Sequence, residues 1–299
     1  MLSINAFNTY RIPQIFDYYR PRDLREALKL LESVEGAKVV AGGTDLVVDL
    51  KYRRIEVRAL IDISRLDELR FIKLEDSYVE IGSAVTIQEI VESSIAREKL
   101  PLLVEAAESL GSWQIRNLAT IGGNLCTASP AADTAPPLLV YDAELELVSL
   151  RGVRTVPIEK FFTGPKRVVL ERGEILRSIR IPVSRNVFGW SYIKLRRTSF
   201  DVAKASVAVL LDARDGYIVD ARVALGSVAP TPVRARGVER SIVGLKIEEA
   251  ARVASERVVN EISPIDDARS TAWYRLQASK TLVSDAVWRA YERLLKIGV

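Results

Sequence analysis

The sequence of 299 residues contains no histidine and a single cysteine, Cys126. A disulfide needs two cysteines, and zinc sites and iron–sulfur clusters draw mainly on Cys and His ligands, so this chain alone cannot provide them. A Ser-His-Asp triad is excluded in the same way. Because redox proteins without such groups obtain their chemistry from an organic cofactor, the composition favours a chain that binds one.

Long apolar runs are also missing, since the longest, at 136–141 and 207–211, are far short of the roughly 20 residues that cross a bilayer. The first 20 residues lack the basic-then-apolar pattern of a signal peptide. The 43 basic and 39 acidic residues are interspersed and leave a net charge of +4, without a basic block. We therefore expect a cytoplasmic protein with no membrane span and no nucleic-acid partner.

The length of the chain indicates about two domains, at about 150 residues per domain. Residues 24–34 have helical spacing, and a short strand at 38–41 runs into Gly42-Gly43-Thr44-Asp45 before helical spacing resumes at Leu46. Two β-rich runs, at 203–213 and 217–228, flank Asp215-Gly216 and predict a hairpin. Helices are expected at 247–260 and 268–295.

Two Gly-Gly pairs, within the segments 42–44 and 120–124, each have a threonine nearby. Glycine permits positive φ and close approach to a ligand, and consecutive N–H groups in such turns form a concavity for an anion. A helix beginning near Asp45 would add its dipole. The alternative, that each pair merely closes a tight turn, stays open. Neither matches a Rossmann or P-loop fingerprint. Residues 127–137, with three prolines, predict an irregular loop.

Other candidate residues have two interpretations each. Asp133 could accept a hydrogen bond from a ligand or cap a turn. Lys194, Arg196 and Arg197 could face a negatively charged cofactor or form a solvated strand edge. Cys126 fits a small buried residue better than a reactive thiol, because it has no histidine partner.

Six short motifs follow one another along the chain: AGGTDL at 41–46, QIRNLATIGGN at 114–124, TASPAAD at 127–133, GEIL at 173–176, KLRR at 194–197 and DVA at 201–203. With them the chain resembles, over nearly its whole length, the FAD-binding medium subunits of molybdenum hydroxylases, the group of carbon monoxide dehydrogenase, xanthine dehydrogenase and aldehyde oxidoreductase. Two positions depart from the pattern: Val202 stands where some relatives have tyrosine, and Ile87 replaces a common histidine.

The resemblance implies an α+β fold: a vanillyl-alcohol-oxidase-type (PCMH-type) FAD-binding domain at 1–180, with subdomains at about 1–54 and 55–180, then a small sheet-and-helix domain at 181–299. The two glycine turns would hold the FAD pyrophosphate, and Asp201 and Val202 would lie near the isoalloxazine ring. By position, the implied FAD-binding residues are Val39, Val40, Ala41, Gly42, Gly43, Thr44, Asp45, Leu46, Leu110, Thr120, Ile121, Gly122, Gly123, Asn124, Thr127, Asp133, Leu176, Lys194, Asp201 and Val202.

The resemblance also implies partners. A molybdopterin-binding large subunit would oxidise the substrate, and a two-cluster iron–sulfur small subunit would pass the electrons to FAD on this chain and on to an external acceptor. No residue of this chain would then be catalytic or bind a metal. Two alternatives are a free-standing FAD oxidoreductase that meets a small substrate directly and a scaffold subunit without flavin. Retention of all four glycines argues against loss of the flavin.

Overall fold

The N-terminal unit is a small parallel sheet with two helices. A computed structural model describes residues 12, 14–183 and 188–297 of the chain. The sheet has the order β1-β3-β2, with β1 (Asp17–Tyr19), β2 (Ala37–Val40) and β3 (Ala59–Asp62). Helix α1 (Leu24–Ser33) follows β1, and helix α2 (Leu46–Lys51) follows β2 after the Gly42-Gly43 turn. Because the strands are parallel, this turn lies at the carboxyl edge of the sheet.

The second unit is a five-stranded antiparallel sheet covered by helices. Its order is β4-β5-β10-β6-β7, with β4 (Ile72–Leu74), β5 (Tyr78–Gly82), β6 (Glu144–Ser149), β7 (Gly152–Pro157) and β10 (Ile175–Pro182). A short ribbon pairs β8 (Phe162–Gly164) with β9 (Arg167–Val168). The helices are α3 (Ile87–Glu92), α4 (Ser94–Lys99), α5 (Pro101–Glu108), α6 (Trp113–Arg116), α7 (Ile121–Thr127) and α8 (Ala135–Val140).

The C-terminal unit is a four-stranded antiparallel sheet with three helices: β11 (Gly189–Leu195), β12 (Ala205–Arg214), β13 (Tyr217–Gly226), β14 (Val233–Arg234), α9 (Arg236–Ile242), α10 (Ile247–Arg257) and α11 (Ala272–Ile297). Side chains of β12 alternate between two cores: Val207 and Val209 pack with the helices of this unit, whereas Ala208 and Leu210 pack into the core of the second unit. The sheet is therefore covered on both faces, which joins the two units.

Several predicted elements are confirmed, among them α1, β2 and the hairpin at Asp215-Gly216, where both residues have positive φ. The predicted irregular segment 127–137 is wrong at its end, because α8 begins at Ala135 and carries Pro136 and Pro137 in its first turn. A proline is tolerated there, since the first helical N–H groups have no partner within the helix. Helix α9 is an element that the sequence patterns did not predict.

The second glycine pair lies in a helix, which corrects the expectation of a glycine turn. Thr120 caps α7, and neither Gly122 nor Gly123 has positive φ. Gly122 is needed for packing instead, because a Cβ there would lie 2.5 Å from Cβ of Ser83 and 2.7 Å from its carbonyl oxygen. Gly122 therefore lets α7 lie directly against the segment that follows β5.

The predicted domain boundaries, at 54/55 and 180/181, stay predictions. β3 belongs to the sheet of the N-terminal unit, and β10 continues through Pro182 in the sheet of the second unit. Within the described ranges, no helix combines the length and the apolar character needed to cross a membrane.

The packing of α7 predicts that Gly122→Ala lowers the free energy of unfolding by about 1–3 kcal/mol, because the added methyl group meets backbone that cannot swing aside. Gly237→Ala is the matched control: its Cβ meets only the carboxylate end of Glu261, which can move, and alanine favours the helix. Urea unfolding of both variants checks this, and equal midpoints would contradict it.

Candidate functional site

A cleft of about 470 Å³ lies where the N-terminal unit meets α6 and α7 of the second unit. Thirteen of the twenty predicted site residues line it: Val39, Val40, Ala41, Gly42, Gly43, Thr44, Asp45, Leu46, Leu110, Thr120, Gly123, Asn124 and Thr127. Seven further residues that sequence patterns did not single out as ligands complete the lining: Lys38, Asp49, Ile55, Ile115, Ala119, Cys126 and Lys166. The two predicted loops thus come together at one cleft.

The first loop, residues 42–45, lines the cleft, and its backbone amides have no partner in the described part of the chain. The backbone of Gly43 has φ +69°, a conformation that residues with a Cβ adopt only with strain. This conformation turns the chain from β2 into α2. Among the described residues, no hydrogen-bond acceptor faces the amides of the four residues of this loop. Free consecutive N–H groups at a sheet edge are typical of an anion site.

The second segment, residues 120–124, differs from the first loop, because the amides of residues 121–124 already have hydrogen-bond partners. The amide of Ile121 donates to the carbonyl of Val85 at 3.0 Å, that of Gly122 to Ser83 O at 2.9 Å and that of Gly123 to Thr120 Oγ1 at 3.0 Å. The expectation of a second concavity of free amides is therefore wrong. Any hydrogen bond from this wall to a ligand comes from side chains.

Two side chains of the second segment are oriented for that role. Oδ1 of Asn124 accepts hydrogen bonds from Oγ1 of Thr134 at 2.6 Å and from the backbone amide of Thr134 at 3.4 Å. These bonds fix the orientation of the Asn124 side chain and leave its NH₂ group as a donor. The hydroxyl of Thr120 accepts from Gly123, so its proton remains available. Both residues line the cleft.

The charges that line the cleft balance, since the lining contains two lysines, Lys38 and Lys166, and two aspartates, Asp45 and Asp49. Nζ of Lys166 lies 3.6 Å from Oδ2 of Asp49. The binding of an anion in the cleft would therefore depend on directed hydrogen-bond donors more than on net positive charge. Cys126 is no nucleophile there, because burial raises the pKa of its thiol to about 12 and keeps it protonated.

Asp133 and Lys194 lie outside the lining and form a buried ion pair, with Nζ of Lys194 2.8 Å from Oδ2 of Asp133. Burial raises the pKa of Asp133, and the ammonium of Lys194 opposes this. Lys194 also donates to the carbonyl of Ser109 at 3.1 Å, next to Leu110 in the cleft wall. The pair therefore connects β11 to the turn that positions Leu110.

The other five predicted site residues do not line the cleft either. Ile121 and Gly122 are buried behind it in α7, and Leu176 is buried in β10. Asp201 and Val202 lie in the connection from β11 to β12, where Asp201 pairs with Arg197 at 3.5 Å. Val202 is 40% exposed.

Comparison with known proteins identifies the family. Residues 14–184 match the sequence model of the FAD binding domain in molybdopterin dehydrogenase, and residues 190–290 match that of the CO dehydrogenase flavoprotein C-terminal domain. Together these define a flavoprotein of the dehydrogenase type. The chain belongs to the family of FAD-binding medium subunits of carbon monoxide and xanthine dehydrogenases, and FAD is its cofactor.

Individual relatives agree over almost the full length. The xanthine dehydrogenase FAD-binding subunit of Escherichia coli O157:H7 is 37% identical over 277 residues, 91% of this chain and 95% of the relative. The glyceraldehyde dehydrogenase medium chain of Sulfolobus acidocaldarius is 34% identical, covering 92% of this chain and 98% of the relative. A solved carbon monoxide dehydrogenase from Hydrogenophaga pseudoflava superposes with a TM-score of 0.92 at 35% identity, covering 95% of this chain and 99% of that chain. The predicted α+β architecture with a C-terminal domain is confirmed.

The conformation of the first loop predicts that Gly43→Val lowers the affinity for FAD at least tenfold while the chain stays folded, because a β-branched residue resists φ +69° and turns the loop amides away. Gly244→Val is the matched control: Gly244 has φ +84° with open space around it and does not line the cleft. Flavin titration and circular dichroism of both variants test this. Unchanged affinity in the Gly43 variant would contradict it.

Proposed function

We propose that the cleft holds FAD with its diphosphate at the open amides of residues 42–45, and that the chain passes electrons from iron–sulfur clusters through this flavin to an external acceptor. The observation that carries the proposal is that residues 42–45 line the cleft and that their backbone N–H groups have no acceptor among the described residues. A diphosphate has many acceptor oxygens and no donor, so it matches a wall made of donors.

The remaining lining fits the same ligand. Hydroxyls of Thr44, Thr120 and Thr127 and the NH₂ group of Asn124 supply further donors, while Leu110 and Ile115 supply apolar surface. A lining that combines polar donors with apolar side chains suits a cofactor with a charged centre and flat aromatic ends. The residues present thus fit FAD.

FAD supplies the electron chemistry when bound, and this chain's residues bind and orient it. The lining offers neither a thiolate nor an imidazole, because burial keeps the thiol of Cys126 protonated and the sequence contains no histidine. This division of roles favours an electron-transfer subunit over a free-standing oxidoreductase, which would need groups to bind and activate a substrate.

The partners we propose are a molybdopterin-binding large subunit and a two-cluster iron–sulfur small subunit. Relatives are named as FAD-binding subunits and medium chains of dehydrogenases, which supports such an assembly. Large apolar side chains are exposed beside the cleft, with Trp113 at 56% and Leu118 at 58%, on either side of the lining residue Ile115. Exposed apolar groups of this size support a surface that a partner covers.

The purified chain should release FAD on heating, and not FMN, as identified by chromatography. It should transfer electrons from dithionite to an artificial acceptor, yet leave aldehydes and purines unoxidised until both partner subunits are added. Steady-state assays of the isolated chain and of the reconstituted complex measure this. Substantial oxidation of an organic substrate by the isolated chain would support a free-standing flavoenzyme instead.

A further inference from the structure

Lys166 occupies an unusual place in the cleft. It lies in the turn between β8 and β9, belongs to the second unit, and lines the cleft together with the first loop of the N-terminal unit. The other lining lysine, Lys38, is part of β2 and so belongs to the same unit as the first loop. Lys166 is therefore the lining cation that reaches the cleft from the second unit.

The backbone holds Lys166 in a defined position. Its φ is +60°, in the left-handed region that non-glycine residues adopt rarely, and its amide donates to the carbonyl of Ala128 at 2.9 Å. Ala128 ends α7 and is itself left-handed, with φ +48°. The turn is thus anchored to the end of the same helix whose beginning lines the cleft, and the origin of the lysine side chain is fixed.

The side chain, by contrast, is held weakly. Its ammonium lies 3.6 Å from the carboxylate of Asp49 on α2, and the lysine side chain is 56% exposed. Exposed pairs with this separation contribute little to stability. Asp49 has a second cation in Arg54, whose Nη1 donates to its Oδ1 at 3.2 Å. Lys166 can therefore leave Asp49 without stranding an unpaired carboxylate.

We propose that Lys166 is an FAD-binding residue that exchanges partners: it pairs with Asp49 in the flavin-free chain and with the diphosphate of FAD when the flavin binds. This rests on the proposed location of FAD. Because the lining charges balance without the flavin, a diphosphate adds uncompensated negative charge. Release of Lys166 from Asp49 provides a cation at the opposite wall, while Arg54 keeps Asp49 paired.

The test compares two substitutions that break the same ion pair. If the pair only joins the two units, Lys166→Met and Asp49→Asn change FAD affinity in the same direction. If Lys166 binds the diphosphate, Lys166→Met weakens FAD binding about tenfold or more, whereas Asp49→Asn strengthens it severalfold, because it removes both a competitor and a repelling charge. Calorimetric titration of the flavin-free chain measures these affinities.

Three controls make the result specific. Arg167→Met removes a neighbouring positive charge that does not line the cleft, and it should leave FAD affinity within twofold of the wild type. Lys166→Arg keeps the charge and should retain most of the affinity. Riboflavin has no phosphate, so its affinity should be the same in the Lys166→Met variant and the wild type. The dependence of FAD binding on salt should also weaken in Lys166→Met.

Parallel loss of affinity in Lys166→Met and Asp49→Asn, or equal losses for FAD and riboflavin in Lys166→Met, would overturn the inference. The Gly43→Val variant separates this failure from failure of the proposed site. If Gly43→Val loses FAD and Lys166→Met does not, only the role of Lys166 is wrong. If Gly43→Val binds FAD as the wild type does, the location of the flavin itself is wrong.

Discussion

The cleft depends on one close contact between backbones. Gly42 lies against the connection between α6 and α7, where a Cβ would stand 1.8 Å from the carbonyl oxygen of Leu118. No side chain can occupy that space, so only glycine lets the first loop reach the second unit. The next two residues after Leu118, Ala119 and Thr120, line the cleft opposite the loop. The contact therefore brings together two walls that are far apart in the sequence.

The two glycine pairs have different physical tasks. Gly43 turns the chain and leaves the loop amides free, whereas Gly122 allows α7 to pack on Ser83 and its amide is already paired. One wall therefore offers backbone donors and the other offers the side chains of Thr120 and Asn124. A ligand with a charged centre can be held from both sides without excess positive charge on the protein.

Local patterns in the sequence predict the first loop of the cleft, but they do not predict the contacts between distant segments. The strand, glycine turn and helix around Gly43 were predictable, because positive φ and helical spacing are properties of neighbouring residues. The packing of Gly122 on Ser83 and the pairing of Lys166 with Asp49 join distant segments, and no local pattern indicates them. Of the residues that the family resemblance implies for FAD binding, thirteen line the cleft, whereas Asp133 and Lys194 form an ion pair outside its lining.

Amide hydrogen exchange, with and without FAD, tests the central claim most directly. In the flavin-free chain the amides of residues 42–45 should exchange rapidly, since none has a partner among the described residues, and FAD should slow them strongly. Residues 121–124 should be protected already and change little, because their amides are paired. Strong new protection at 121–124 with none at 42–45 would contradict the account.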